Sequence, residues 1–307
     1  MTAQASLSVV IPAYNAAATI GQTLAAVKRQ SLAGRVSEII VVDNASTDAT
    51  GAIAEQHGVT VFREERRGPS AARNRGLAAA KGDIVCHVDA DAVPTRHWLA
   101  ELVKPFAEAD VLLVGGKTIS FPPRTPAQRY TARCGRSEPE SFIDRPVFPF
   151  VPSQNIAFRR EPAIAAGGWN EAMITAEDVE FCHRLLQNYR AMRMVFAPGA
   201  VVMHHDRSTD DELRDQAWMY GQGAAWMYRH HPETVRWDRA KTMAVISVLI
   251  RRGVTPVWEL YKKAVGVGSH DDLEFTIYHR LWTWWWWRGF YQLYHSGEFR
   301  PRPCSRS

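Results

Sequence analysis

The residues best equipped for chemistry are Asp89 and Asp91, flanking Ala90 at the end of the apolar run Ile84-Val85-Cys86-His87-Val88. A short β-branched run entered through Lys81-Gly82 predicts a buried central strand. Two carboxylates at the C-terminal end of such a strand stand where open α/β sheets bind ligands. Hard oxygen donors suit Mg2+ or Mn2+, and such a cation suits a diphosphate. An isolated Asp-x-Asp is more often a solvated turn, so other residues must supply the context. Glu177 and Asp178 open a helix predicted through Leu186, where the helix dipole alone would favour them. His204-His205 ends a strand, and Gly167-Gly168-Trp169-Asn170 is a turn carrying an aromatic.

The elements around these groups alternate. Strands are predicted at 7–12, 38–43, 59–62, 83–88 and 110–116, with helices at 19–30, 48–57, 68–80 and 98–109. Ser46 or Thr47 is placed to cap the second helix, and Pro69 suits the first turn of the third. The alternation implies an α/β fold with a mostly parallel, doubly wound sheet and helices on both faces. Four strand ends then bring Ala13-Tyr14-Asn15, Asp43, Glu64-Glu65 and Asp89/Asp91 to one edge. No Gly-x-Gly-x-x-Gly follows the first strand, and no Gly-x-x-x-x-Gly-Lys-Ser/Thr occurs. A nucleotide here would be held by carboxylates and a metal, which argues against a dinucleotide dehydrogenase or P-loop protein.

Residues 117–176 are rich in proline and poor in periodicity, as in an ordered excursion that shapes a substrate site. Met194–Phe196 and Ala200–Met203 read as a strand pair around Pro198-Gly199. From Thr209 the chain is predicted helical, with an apolar helix at 240–252 and an aromatic one at 281–289 containing Trp284 to Trp287. Those tryptophans form either a core between helices or an interfacial belt, with Lys262, Lys263, Arg280, Arg288, Arg300 and Arg302 near anionic headgroups. The expected organisation is a catalytic domain over 1–208 and a helical, aromatic-rich extension over 209–307.

At 307 residues with 46% hydrophobic content, the chain can bury a full core. A net charge of +5 fits phosphate-bearing ligands or an anionic membrane surface, and no nucleic-acid signature accompanies it. The four cysteines are scattered and indicate neither a zinc site nor a disulfide framework. The expectation is a cytoplasmic protein without a transmembrane helix, peripheral at the inner face of the membrane if the aromatic tail binds lipid.

The ordered landmarks resemble the inverting family 2 glycosyltransferases, which have a GT-A fold. They are Val9-Val10-Ile11-Pro12-Ala13-Tyr14-Asn15, Ile39 to Asp48, Gly68-Pro69-Ser70-Ala71-Ala72-Arg73-Asn74-Arg75-Gly76, Asp89-Ala90-Asp91, Gly167-Gly168-Trp169 and Glu177-Asp178. The resemblance covers about residues 7–208. It implies that Pro12, Ala13 and Asn15 line a nucleotide pocket, with Asp43 facing the base. It places Arg73 near the phosphates and donor sugar, Asp89 on ribose or metal, and Asp91 as the main metal ligand. His204, or less favourably His205, completes the metal site. Asp178 is the implied catalytic base, with Trp169 and Glu177 on the acceptor side. Asn44 stands where many members have Asp.

The implied reaction moves a sugar from a nucleoside-diphosphate donor, UDP by default, to a carbohydrate, lipid-linked or other hydroxyl acceptor, with Mn2+ or Mg2+ as cofactor. A metal stabilises the leaving diphosphate, and a base takes the acceptor proton. Two other readings remain: a nucleotidyltransferase on a similar sheet, and a non-enzymatic membrane-associated interaction protein. The first lacks the glycine-rich basic loop that holds a triphosphate. The second gives no reason for Asp91, Asp178 and His204 to occur together.

Overall fold

The computed structural model describes residues 5–134 and 140–302. Strands β1 (Leu7–Ala13), β2 (Val36–Asp43), β3 (Thr60–Arg63) and β4 (Ile84–Val88) alternate with helices α1 (Ile20–Lys28), α2 (Thr50–Gln56) and α3 (Pro69–Ala79). These strands are the short β-branched runs of the sequence. Along β1 the side chains alternate between two cores. Leu7, Val9 and Ile11 pack with α1, while Val10 packs with Ile40, Val42 and residues of α3. Helices therefore cover both faces, and β1 and β4 are buried along nearly their whole length.

The chain continues through β5 (Ala92–Pro94), α4 (Trp98–Val103), β6 (Val111–Ser120), α5 (Pro126–Arg133), α6 (Glu140–Ile143), β7 (Asn155–Arg159), α7 (Arg160–Ala165), α8 (Glu177–Asn188) and β8 (Arg193–His204). The sheet order is β3-β2-β1-β4-β7-β6-β8-β5. β3, β2, β1 and β4 are parallel, as are β6 and β8. β7 is antiparallel to both β4 and β6, and β5 is antiparallel to β8, so the sheet is mixed. The proline-rich stretch thus delivers a central strand, with Ile156, Ala157 and Phe158 fully buried.

Residues 194–203 do not form the expected strand pair. Both halves lie in the single strand β8 and pair in parallel with β6. Gly116 faces Ala197 while Lys117 faces Val201, so Pro198, Gly199 and Ala200 bulge out of the ladder. Asn155 fastens the bulge by donating to the carbonyls of Lys117 and Ala200, at 3.0 and 2.9 Å, while accepting from the Trp98 indole at 2.7 Å.

The molecule divides into two compact units. One takes the chain up to Phe121 and the later stretch ending at His205. The other combines α5 with everything from Asp206 onward: α9 (Asp210–His230), α10 (Arg239–Ala264) and α11 (His270–Ser296). Thr209 and Glu212 form a capping box that starts α9. The expected helix at 240–252 continues past Pro256 to Ala264, and the aromatic helix is three times its expected length. α9 and α11 cross at glycines: a Cβ on Gly221 would meet the Trp286 carbonyl at 1.8 Å, and one on Gly289 the Trp218 carbonyl at 2.1 Å. Trp286 and Trp287 pack with Phe290 and Trp237. Arg288 and Arg302 lie over the Trp285 ring, and Arg302 also pairs with Asp211 and Asp215. The tryptophan run therefore serves largely as the core of the helical unit, leaving Trp284 half-exposed.

Gly76 shows how closely α3 sits on the sheet: a Cβ there would lie 2.3 Å from Val10 Cγ1. In an open helix Gly→Ala stabilises, but here overpacking dominates. Gly76→Ala is expected to destabilise the protein by ~1–3 kcal/mol, read as a lower urea midpoint at unchanged slope.

Candidate active site

The loops leaving β1 and β2 are laced together at the C-terminal edge of the sheet. Beyond Pro12 and Ala13 the chain turns at Asn15, whose φ is +48°. The Asn15 N–H donates to Ser46 Oγ at 3.0 Å, and its side-chain oxygen accepts from the Thr47 N–H at 2.9 Å. Ala16 and Ala17 donate to Thr50 and Asp48. Asp43 ends β2 with both carboxylate oxygens engaged, one by the Ser46 N–H at 3.0 Å and one by Arg63 at 3.1 Å. Asn44 is buried and donates to the carbonyls of Glu64 and Arg66 while accepting from the Gly68 N–H. It thereby fixes the entry of α3.

Arg73 projects from the buried face of α3. Its guanidinium pairs with Glu177 at 2.7 Å, reaches Asp89 at 3.5 Å and lies over the Trp169 ring at 5.1 Å. One arginine thus joins the end of β4 to the start of α8. Asn74, the next residue, grips the glycine turn: it accepts from the Trp169 N–H at 2.7 Å and donates to the Trp169 carbonyl at 2.9 Å. Gly168 has φ +69°, and a Cβ there would lie 2.5 Å from the Asn74 oxygen.

Trp169 is 1% exposed, stacked on Phe181 with centroids 4.1 Å apart, and also stacked on His87. It is a core platform beneath Arg73. Glu177 is likewise buried, and its carboxylate pairs with Arg73.

Asp178 follows Ala176, a non-glycine residue at φ +57°, in the first turn of α8. It accepts from the N–H groups of Ser153 at 3.3 Å and Val179 at 2.8 Å. Burial, reinforced by the Glu177 charge, raises its pKa to about 7, against the opposing pull of Arg73 and the two N–H groups. Such a carboxyl can exchange a proton near neutral pH.

Asp89, Asp91 and His204 each offer a ligand atom, and these atoms lie within 4.8 Å of one another. His204 Nε2 is 3.3 Å from Asp91 Oδ1. The placement follows from β5, which pairs with β8 so that His204 stands opposite Ala92, the residue after Asp91. His205 instead stacks on Phe121 at 4.1 Å, with its N–H donating to the Asp91 carbonyl. Two carboxylates and an imidazole fit Mn2+ or Mg2+, with oxygen ligands left to waters and a diphosphate.

The structure brings Arg73, Asp89, Glu177 and Asp178 into one network and gathers Asp89, Asp91 and His204 into a ligand set. Asn74, Ser153 and Asn155 were not singled out from the sequence, and Asn44 was noted without a role. Asn74 lies inside the same motif as Arg73; the other two sit in the aperiodic stretch, where nothing local marks them.

Replacing Glu177 by Ala leaves the buried Arg73 without its closest partner and is expected to cost ~3–5 kcal/mol in chemical denaturation. If Asp178 is the working base, the rate climbs as pH rises and levels above about 7, the value its burial produces. Asp178→Asn should remove that limb and lower the rate by roughly 10²–10⁴-fold while keeping nucleotide binding.

Residues 8–165 match the family described as Glycosyl transferase family 2. The pre-mycofactocin glycosyltransferase of Mycobacterium tuberculosis is 31% identical over 288 residues, covering 88% of this chain and 56% of that protein. The chain therefore spans little more than half the length of this relative. Among solved structures, the mannosyltransferase PcManGT from Pyrobaculum calidifontis, in complex with GDP-Man and Mn2+, superposes with TM-score 0.65 at 20% identity, over 96% of this chain and 88% of that one. The glucosyl-3-phosphoglycerate synthase of Mycobacterium tuberculosis, in complex with Mn2+, UDP and glucosyl-3-phosphoglycerate, gives 0.53 at 25% identity, over 77% and 82%. The mixed sheet with its covering helices is thus the GT-A fold, and the chain belongs to glycosyl transferase family 2.

Proposed function

We propose that the protein is a metal-dependent, inverting hexosyltransferase that moves a sugar from a nucleoside-diphosphate donor to an acceptor hydroxyl. The observation that carries this reading is the Arg73 bridge. It ties Asp89, in the metal-ligand set, to Glu177, the neighbour of the carboxyl that titrates near neutrality. Family membership favours the glycosyltransferase over the nucleotidyltransferase and scaffold alternatives.

In this reading Pro12, Ala13, Asn15 and Asp43 lie along the nucleotide, and Arg73 and Asp89 stand beside the diphosphate and donor sugar. Asp91 and His204, with Asp89, would hold Mn2+ or Mg2+, which would supply positive charge beside the diphosphate. Asp178, deprotonated, accepts the proton of the acceptor hydroxyl. The oxygen then attacks the anomeric carbon on the face opposite the leaving group. The new glycosidic C–O bond forms as the bond to the diphosphate breaks, and the anomeric configuration inverts. Arg73 engages the Glu177 carboxylate at 2.7 Å, which leaves Asp178 as the carboxyl of the pair offered to the acceptor. UDP is the favoured nucleotide, supported by its presence in the neighbour that is 25% identical. The acceptor is a carbohydrate, lipid-linked or other hydroxyl, reached on the cytoplasmic side of a membrane.

The test is release of nucleoside diphosphate from UDP-, GDP- and dTDP-sugars with Mn2+ or Mg2+, set against Asp91→Ala. A UDP-sugar should turn over only with metal, and Asp91→Ala should lose roughly 10²-fold or more. Turnover undiminished in EDTA, or a product that retains the anomeric configuration by NMR, would overturn the proposal.

A further inference from the structure

Helix α10 carries an exposed apolar stripe that neither the sheet nor the site uses. Met243, Ile246, Ile250, Val254, Val257, Trp258 and Tyr261 recur at helical spacing on one side of the helix. Ile250, Val254 and Val257 are each 60–66% exposed. Trp258 and Tyr261 stack on each other with centroids 5.4 Å apart and stay more than half exposed. Just beyond the helix, Val265 and Val267 extend the apolar surface. The opposite side is settled within the helical unit: Pro256 and Glu259 are buried there. A solvated helix seldom keeps this many large apolar side chains in one contiguous row.

The charges on α10 say what covers it. The helix has six lysines and arginines and a single acid, Glu259, which pairs with Lys262. Arg251 and Lys262 flank the apolar row at its Trp258 edge, given 100° per residue. A second copy of the chain would bring two such cationic helices together, with no acidic partners along the row. An anionic lipid surface complements both features, because it takes the apolar row into its acyl boundary and the basic residues at its headgroups. Paired aromatics at the row's edge suit the same depth. No described helix is long and apolar enough to cross a membrane, so α10 would lie in the plane of the surface.

We infer that α10 is an in-plane anchor that docks the protein on anionic lipid bilayers through Met243, Ile246, Ile250, Val254, Val257, Trp258 and Tyr261. The surface is independent of donor chemistry, so its test does not depend on the glycosyltransferase reading. The full-length protein is floated with vesicles of phosphatidylcholine alone or mixed equally with phosphatidylglycerol. It should partition to the anionic vesicles, and high salt should release it. Val254→Glu/Val257→Glu should abolish flotation, and Arg251→Glu should weaken it ~10-fold. All three positions are exposed, so circular dichroism and thermal unfolding should be unchanged. Failure to float, or flotation unaffected by Val254→Glu/Val257→Glu, would overturn the inference. So would a concentration-dependent dimer in sedimentation equilibrium that Val254→Glu/Val257→Glu dissolves, since the row would then be covered by a second copy.

Discussion

The arrangement of the candidate site depends on a buried positive charge. Arg73 is 4% exposed, and a guanidinium withdrawn from water is tolerated only when carboxylates compensate it. Glu177 and Asp89 do so, from elements far apart in the chain. The arginine therefore acts as a structural cation. It fixes the distance between the carboxylates at the end of β4 and the helix that presents Asp178. The Trp169 ring supports its flat side, and Asn74 holds the turn that sets Trp169. Three sequence motifs that look separate on paper are one hydrogen-bonded and stacked assembly in space.

The same charge divides the labour of two adjacent carboxyls. Glu177 lies against the guanidinium and is held as its counter-ion. Asp178 feels the arginine less strongly than it feels burial and its neighbour's charge, and its pKa rises to about 7. Adjacent residues of nearly the same chemistry thus acquire different roles from environment alone. The left-handed backbone at Ala176 turns the chain into α8 just ahead of the pair.

Much of this was legible beforehand because the informative residues are local. Short β-branched runs ending in carboxylates mark parallel strands, and Asp89, Asp91, Arg73 and Asp178 fall in compact motifs whose order carries meaning. What escaped was non-local. Nothing near Asn155 announces that it bridges the ladder to a bulge in β8, and proline-rich surroundings concealed a central strand. Pro198-Gly199 suggested a reversal because that dipeptide commonly makes one; here the partner strand β6 lies on the same side before and after it. Trp169, in a turn beside two glycines, carried no local sign of its burial. Its burial depends on Phe181 and His87, which no spacing rule connects to it. The tryptophan run fitted a core or a lipid belt equally; its neighbours in the helical unit claim most of it, while the plainer apolar residues of α10 stay uncovered.

The pairing of β5 with β8 has a kinetic consequence. Asp91 and His204 are brought together by the contact of Ala92 with His204, the two ends of a chain segment more than a hundred residues long. Contacts so distant in sequence form late, because the entropy of closing the segment must be met before they stabilise anything. A nascent chain released only as far as β7 would already have β1, β2, β3 and β4 with the loops at their ends. It would lack the strand that supplies the imidazole. The cluster of Asp89, Asp91 and His204 therefore matures only when synthesis has passed His204, after most of the sheet has had the opportunity to form.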